Sequence, residues 1–187
     1  QVRRFQLSHG ISQYTGHGFI IHDNTSYVLK MNMLDEMASR DALTGMRNRR
    51  NFESAGVALF KSAIAAKQPI TVCMVDIDWF KNVNDQYGHP VGDIVLKGIA
   101  AILEQNLRKG DMVFRYGGEE FLVLCANMPE EAATRLAERI REAAAKQLFS
   151  ADGETVGVTI SLGLHTAAPV SGQTIDAFVQ IADEQLY

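Results

Sequence analysis

The chain has 187 residues, 47% of them hydrophobic and 21% charged, which suits one well-packed domain with a modest appendage and excludes a disordered polypeptide. Its formal net charge of -4 supplies no broad positive field, which argues against a nucleic-acid surface but leaves room for a small anionic ligand held by a few local lysines and arginines. No apolar run approaches the roughly 20 residues of a membrane span, so no membrane contact is expected of this segment, and Gln1-Val2-Arg3-Arg4 opens no signal-peptide core.

Residues 1 to about 26 offer one strand, Gly18-Phe19-Ile20-Ile21-His22, followed by the turn formers Asp23-Asn24. From Tyr27 to Arg40 the pattern turns helical. Tyr27, Met31, Leu34 and Ala38 follow the 4-3-4 spacing of a coiled-coil seam, although a helix lying on its own domain fits as well. Residues 1–40 therefore read as an appendage and 41–187 as the main domain. The initial Gln and the final Leu186-Tyr187, in mid-helix, read as the ends of a piece of something longer.

Asp41-Ala42-Leu43-Thr44-Gly45 breaks the first helix, and a second covers about Arg50 to Lys67 before Pro69. Ile70-Thr71-Val72-Cys73-Met74-Val75 is a continuous apolar run, the pattern of a central strand buried on both faces, and it runs out on Asp76 and Asp78. A short polar helix is predicted over Trp79 to Gln86 and a longer one from about Val91, with Ile94, Val95, Ile99, Ile102 and Leu103 on one stripe. Met112 to Tyr116 and Phe121 to Ala126 are strands joined across Gly117-Gly118 in a hairpin. A helix from Pro129 to Lys146, a strand from Thr155 to Gly163 and a helix from Thr174 follow. The order implies an α/β (α+β) fold with a mixed central sheet flanked by helices. Cys73 and Cys125, each inside an apolar run, read as buried free thiols.

Asp76 and Asp78, two residues apart at a strand end, would project from one face, where open sheets bind ligands. Glu119-Glu120 follows two glycines that let backbone pass close to a ligand. If the two strands are neighbours, the carboxylates converge. They would then raise one another's pKa unless a cation joined them, and magnesium, with its preference for oxygen ligands and phosphates, is the natural choice. Lys81 near a helix start suits a phosphate. Asn84 and Asp93 carry groups able to pair with the edge of a guanine, or to cap helices. Other templates fail: Phe80 stands where a calcium loop needs its third ligand, no Gly-x-x-x-x-Gly-Lys or Gly-x-Gly-x-x-Gly occurs, and His9, His17 and His22 share no face. His165, inside an apolar strand, reads as structural.

The blocks Asp41-Ala42-Leu43-Thr44-Gly45 with Asn48-Arg49, Asp76-Ile77-Asp78-Trp79-Phe80-Lys81-Asn82-Val83-Asn84-Asp85, Tyr87-Gly88-His89 with Gly92-Asp93, and Arg115-Tyr116-Gly117-Gly118-Glu119-Glu120-Phe121, in this order, resemble the GGDEF family of diguanylate cyclases. The resemblance implies a fold like that of nucleotide cyclases and polymerase palms, with the hairpin carrying the signature turn, and it implies that residues 1–40 are the tail of an upstream sensory region with a signalling helix and residues 41–187 the catalytic domain. It implies that a homodimer condenses two GTP into cyclic di-GMP with magnesium, or manganese in its place. Asp76, the Ile77 carbonyl, Glu119 and Glu120 would hold the metal. Glu119, Glu120 and Lys81 would serve catalysis, with Glu119 the proton acceptor. Phe80, Lys81, Asn84, His89, Asp93 and Gly118 would bind GTP. Arg108-Lys109-Gly110-Asp111 matches the position at which many members bind product as an inhibitor, through Arg108 and Asp111. The phosphate-contacting lysine and arginine that the family carries beyond the last helix would fall past Tyr187. A degenerate relative that binds cyclic di-GMP or GTP without turnover is the alternative; it would typically lack the signature acids.

Overall fold

In the computed structural model, residues 2–7, 16–21, 39–151 and 153–186 are described. Contacts divide the chain into two compact units, Gln1–Ala38 and Ser39–Tyr187. In the first, β1 (Val2–Leu7) pairs antiparallel with β2 (Gly16–Ile21). The strand expected at residues 18–22 is thus β2, and its partner was not anticipated. The expected helix over 27–40 lies almost wholly outside the described residues, as do His9 and His22.

The second unit begins with β3 (Arg47–Asn48), α1 (Arg49–Asn51), a π-helical turn (Phe52–Gly56) and α2 (Val57–Ala66). Then come β4 (Ile70–Ile77), α3 (Phe80–Tyr87), α4 (His89–Asn106), β5 (Met112–Arg115) and β6 (Glu120–Ala126). The chain closes with α5 (Glu130–Lys146), β7 (Leu148–Ala151), β8 (Glu154–Gly157), β9 (Ile160–Ala167) and α6 (Ile175–Glu184). Among the described residues no helix is long and apolar enough to cross a membrane.

Five strands form the main sheet in the order β3-β5-β6-β4-β9. Only β3 and β5 run parallel; β4 is antiparallel to both neighbours. The sheet is mixed, as the alternation of elements implied. The burial of β4 on both faces comes from helices above and below an antiparallel strand, since successive side chains alternate between them. Cys73, Val75 and Ile77 join α3, α4 and α5 in one core, whereas Ile70, Val72 and Met74 join Phe60 of α2 and Phe178 and Val179 of α6 in another. Thr71, buried among apolar neighbours, shares a hydrogen bond with the Thr166 hydroxyl at 2.8 Å. Cys73 and Cys125 are buried free thiols. His165 packs edge-on against Phe178, 4.6 Å between ring centroids.

One predicted element splits. The strand expected over Thr155 to Gly163 is two strands, β8 and β9, in different sheets. Between them, the Thr159 carbonyl accepts from the Asp78 amide at 3.0 Å, so this stretch of backbone is spent on the loop after β4 and cannot continue one ladder. The partner of β8 is β7, in an antiparallel hairpin of its own.

Two glycines set how closely layers approach. A Cβ on Gly163 of β9 would lie 2.0 Å from the Ala182 carbonyl, so α6 is seated directly on the sheet. A Cβ on Gly92 of α4 would lie 2.1 Å from Asn84 Oδ1, so α3 and α4 touch there.

Candidate active site

Asp76, the last even-numbered position of β4, shares its face with Ile70, Val72 and Met74, the face that α6 covers. It lies opposite Glu120 on β6 and Ser161 on β9. Like charges directly opposed across a ladder destabilise a sheet, so the Asp76 and Glu120 pair is unfavourable as it stands. Asp78 lies just past the strand end. Its carboxylate accepts from the Ser161 hydroxyl at 2.7 Å and from the Thr159 hydroxyl, which ties the loop after β4 to β9. Asp76, Asp78, Glu120, Ser161 and Asp183 line one cavity of about 260 Å³.

The electrostatics follow from this crowding. Burial, and then the negative charges of Glu119, Glu120, Asp78 and Asp183, push the Asp76 carboxyl up from 3.8 to about 6. Every charge among those causes is an acid.

The signature turn is built to hold its acids close. The amides of Tyr116 and Gly117 donate to the Glu120 carbonyl at 2.8 and 3.2 Å, closing the hairpin. A Cβ on Gly117 would lie 2.0 Å from Glu120 Oε2, so the carboxylate folds back against the glycine. Around Gly118 a Cβ would meet nothing within 4 Å, and this exposed residue leaves the mouth of the turn open.

At the start of α3 the amides of Asn82 and Val83 bond the Trp79 carbonyl at 2.8 and 3.3 Å. Those of Phe80 and Lys81 remain at the open helix end, an arrangement that favours an anion. The Phe80 ring is buried in the core while Lys81 is exposed. At the other end of α3, Gly88 turns the corner with φ +83°, and its amide donates to the Asn84 carbonyl at 2.9 Å. His89 opens α4 and Asp93 lies in its next turn, both exposed. The Asn84 side-chain amide lies against Gly92, the residue before Asp93. The structure thus brings the expected residues into two groups, Asp76, Glu119 and Glu120 with the α3 start, and Asn84, His89 and Asp93 at the α3–α4 corner.

Arg108 and Asp111 form a separate group beyond α4. Their ion pair measures 3.2 Å, and the Arg108 guanidinium also donates to the carbonyls of Ala126 and Asn127. With Arg40, Arg47 and Lys109 they line a cavity of about 290 Å³.

Sequence reasoning missed two residues of the neighbourhood. Arg115 was only part of a motif, yet its guanidinium donates to both Asp41 oxygens at 3.0 and 3.1 Å and to the Gly118 carbonyl at 2.7 Å. Asp183 carried no local signal at all; α6 delivers it to the cavity because Gly163 lets the helix sit so low.

The donor set of the acid group is oxygen alone. Among the described residues no three His, Cys, Asp or Glu side chains form a closed cage for a metal. A cation here would rest on one or two carboxylates with carbonyl, water and phosphate oxygens, which is how magnesium is commonly held. The uncompensated charge that lifts Asp76 suits such a cation.

Comparisons with known proteins identify the family. The family described as "Diguanylate cyclase, GGDEF domain" matches residues 38–187. The response regulator PleD of Caulobacter vibrioides is 41% identical over 154 residues, which are 81% of this chain and 34% of PleD. Diguanylate cyclase DgcM of Escherichia coli is 38% identical over 168 residues, 90% of this chain and 40% of DgcM. The chain therefore spans well under half the length of these relatives. Among solved structures, diguanylate cyclase SiaD of Pseudomonas aeruginosa, in complex with its activator SiaC, superimposes with a TM-score of 0.77 at 34% identity, over 87% of this chain and 62% of SiaD. The coiled coil and GGDEF domain of DgcB from Caulobacter crescentus, in complex with c-di-GMP, gives a TM-score of 0.79 at 24% identity, over 88% of both chains, and speaks for the fold.

Proposed function

The chain belongs to the GGDEF family of diguanylate cyclase domains, and on that premise we propose that it condenses two GTP into one cyclic di-GMP with release of two pyrophosphates. The observation that carries the reading is the acid group itself: Asp76 and the Gly117-Gly118-Glu119-Glu120 turn meet at the end of a buried central strand, with charges that only a cation or its equivalent would balance.

In the reaction, the 3'-oxygen of one GTP attacks the α-phosphorus of the other in line. The new O–P bond forms as the bond to pyrophosphate breaks, and the same exchange in the opposite direction closes the ring. A divalent cation, magnesium or manganese, held by Asp76, the Ile77 carbonyl and Glu119 with Glu120 beside them, would neutralise charge on the phosphates and lower the pKa of the hydroxyl. Glu119 takes the hydroxyl proton. The amides of Phe80 and Lys81 and the Lys81 ammonium bind phosphate oxygens, and Gly118 lets the nucleotide pass close to the turn. Asn84 and Asp93 hydrogen-bond the guanine edge, with His89 lining that end.

One domain holds one GTP, so two copies must face each other and the proximity of the substrates comes from dimerisation. Residues 1–40 are then the end of a sensory region that governs pairing, residues 41–187 the catalytic domain, and the cytoplasm, where GTP is available, its location. Product inhibition is assigned to Arg108 and Asp111, since a guanidinium forks to phosphate and stacks on a base, and a carboxylate accepts from guanine N–H groups. Incubation with GTP and magnesium should yield cyclic di-GMP, and Glu119→Gln should abolish it. Nucleotide binding without product from the unmodified chain would identify a receptor module instead.

A further inference from the structure

Trp79 is the only tryptophan of the chain and is 80% exposed, more than any other large apolar residue described. Its backbone is left-handed, φ 57° and ψ 29°, a conformation that a bulky residue adopts only when its surroundings impose it. Those surroundings are explicit. On one side, the Asp78 amide and carboxylate are tied to Thr159 and Ser161 of the β8–β9 segment; on the other, the Trp79 carbonyl accepts from Asn82 and Val83. Glycine would occupy this position without strain. The chain instead holds an indole outward, at the entry to α3.

The position of the indole matters. Trp79 lines the cavity that contains Asp76, Glu120 and Asp183, and also an adjoining groove of about 400 Å³ with Val83, Tyr87 and Val156. Anything that covers the acid group must lie against it.

We infer that Trp79 docks on a second copy of this chain when two copies face each other across their acid clefts. The inference rests on the cyclase reading, in which the second substrate arrives on another copy and that copy is what closes the cleft. Charge points the same way. Facing clefts, each carrying Asp76, Asp78, Glu119, Glu120 and Asp183, repel one another, so attraction has to come from bound nucleotide and cation and from uncharged surface at the rim. One buried Trp on each side contributes about 150–250 Å² per residue, a substantial share of a transient interface of roughly 1,200 Å². A brief, ligand-dependent pairing is the result.

The single indole reports on itself. Emission of the unmodified chain, with magnesium and a non-hydrolysable GTP analogue, should shift to the blue only as protein concentration rises, in step with the doubling of mass seen by light scattering. Pairing without the shift would overturn the inference, as would a shift in samples that are still monomeric, which would put the indole on the nucleotide of its own copy. Trp79→Gly, which relieves the backbone strain, should raise the protein concentration for half-maximal turnover about tenfold, the effect typical of a central aromatic, and leave GTP affinity of the monomer unchanged. An unmoved midpoint would also overturn it. Turnover of GTP by the same protein at the same concentrations separates the two readings: product without the shift discards the Trp79 contact and keeps the cyclase, whereas neither product nor pairing discards both.

Discussion

Arg115 and Asp41, 74 positions apart, are locked together by two hydrogen bonds from one guanidinium nitrogen to both carboxylate oxygens. The same side chain reaches the Gly118 carbonyl, so the turn that opens the domain is tied to the signature turn. Burial alone would raise the Asp41 carboxyl, but hydrogen bonds from the Thr44 side chain and amide, together with Arg115, outweigh it and hold the carboxyl below its ordinary range.

Removing either partner leaves the other half-buried and unmatched. Arg115→Ala and Asp41→Asn should each cost about 1–3 kcal/mol in urea unfolding, and the double variant should cost clearly less than their sum. Arg115→Ala should also lower kcat tenfold or more, because Gly118 loses its anchor.

The raised Asp76 carboxyl has a defined consequence for stability. Its folded pKa of about 6 exceeds the ordinary 3.8, so the folded state binds the proton more tightly than the unfolded one. Stability should therefore fall as pH rises from about 4 to about 6 and stay low above. In EDTA, Asp76→Asn should gain about 1 kcal/mol at pH 7.5, allowing for solvent screening of a half-exposed group, or a few degrees in Tm. At pH 4 it should gain nothing. Added magnesium should narrow the difference by stabilising the unsubstituted chain alone.

Gly92→Ala tests the corner between α3 and α4. The new methyl carbon would fall 2.1 Å from Asn84 Oδ1, so the amide must swing away. GTP binding by calorimetry should weaken about tenfold or more, the order expected when a base-edge contact is lost, whereas manganese binding in the absence of nucleotide should be unaffected.

Arg108→Ala should abolish binding of cyclic di-GMP outside the active site and relieve inhibition at accumulated product. Because Arg108 is held by Asp111, Ala126 and Asn127 in the free chain, Asp111→Asn should weaken product binding as well. Equilibrium dialysis with labelled product measures both.

Much of this was legible in the residues because it is local. An apolar run ending in acids announced β4 and its acidic end, and two glycines between apolar runs announced the β5–β6 hairpin. The π-helical turn at Phe52–Gly56 was not; its Gly56 lies close against Phe52 and against Leu124 of a distant strand, a neighbour that no local pattern names. The division between β8 and β9 was hidden for the same reason: it depends on Thr159 bonding Asp78, 81 positions away. Asp183 entered the acid cavity only through the seating of α6 on Gly163, and Arg115 and Asp41 are partners 74 positions apart. Periodicity shows what a segment is; it does not show what lies across the sheet.

The most direct measurement is the initial rate of cyclic di-GMP formation from GTP and magnesium as protein concentration is varied. Two domains that each hold one GTP should give a rate rising with the square of protein concentration at low concentration and linearly once paired, with Glu119→Gln at background throughout. No cyclic di-GMP at any concentration, in samples shown to bind GTP, would contradict the account.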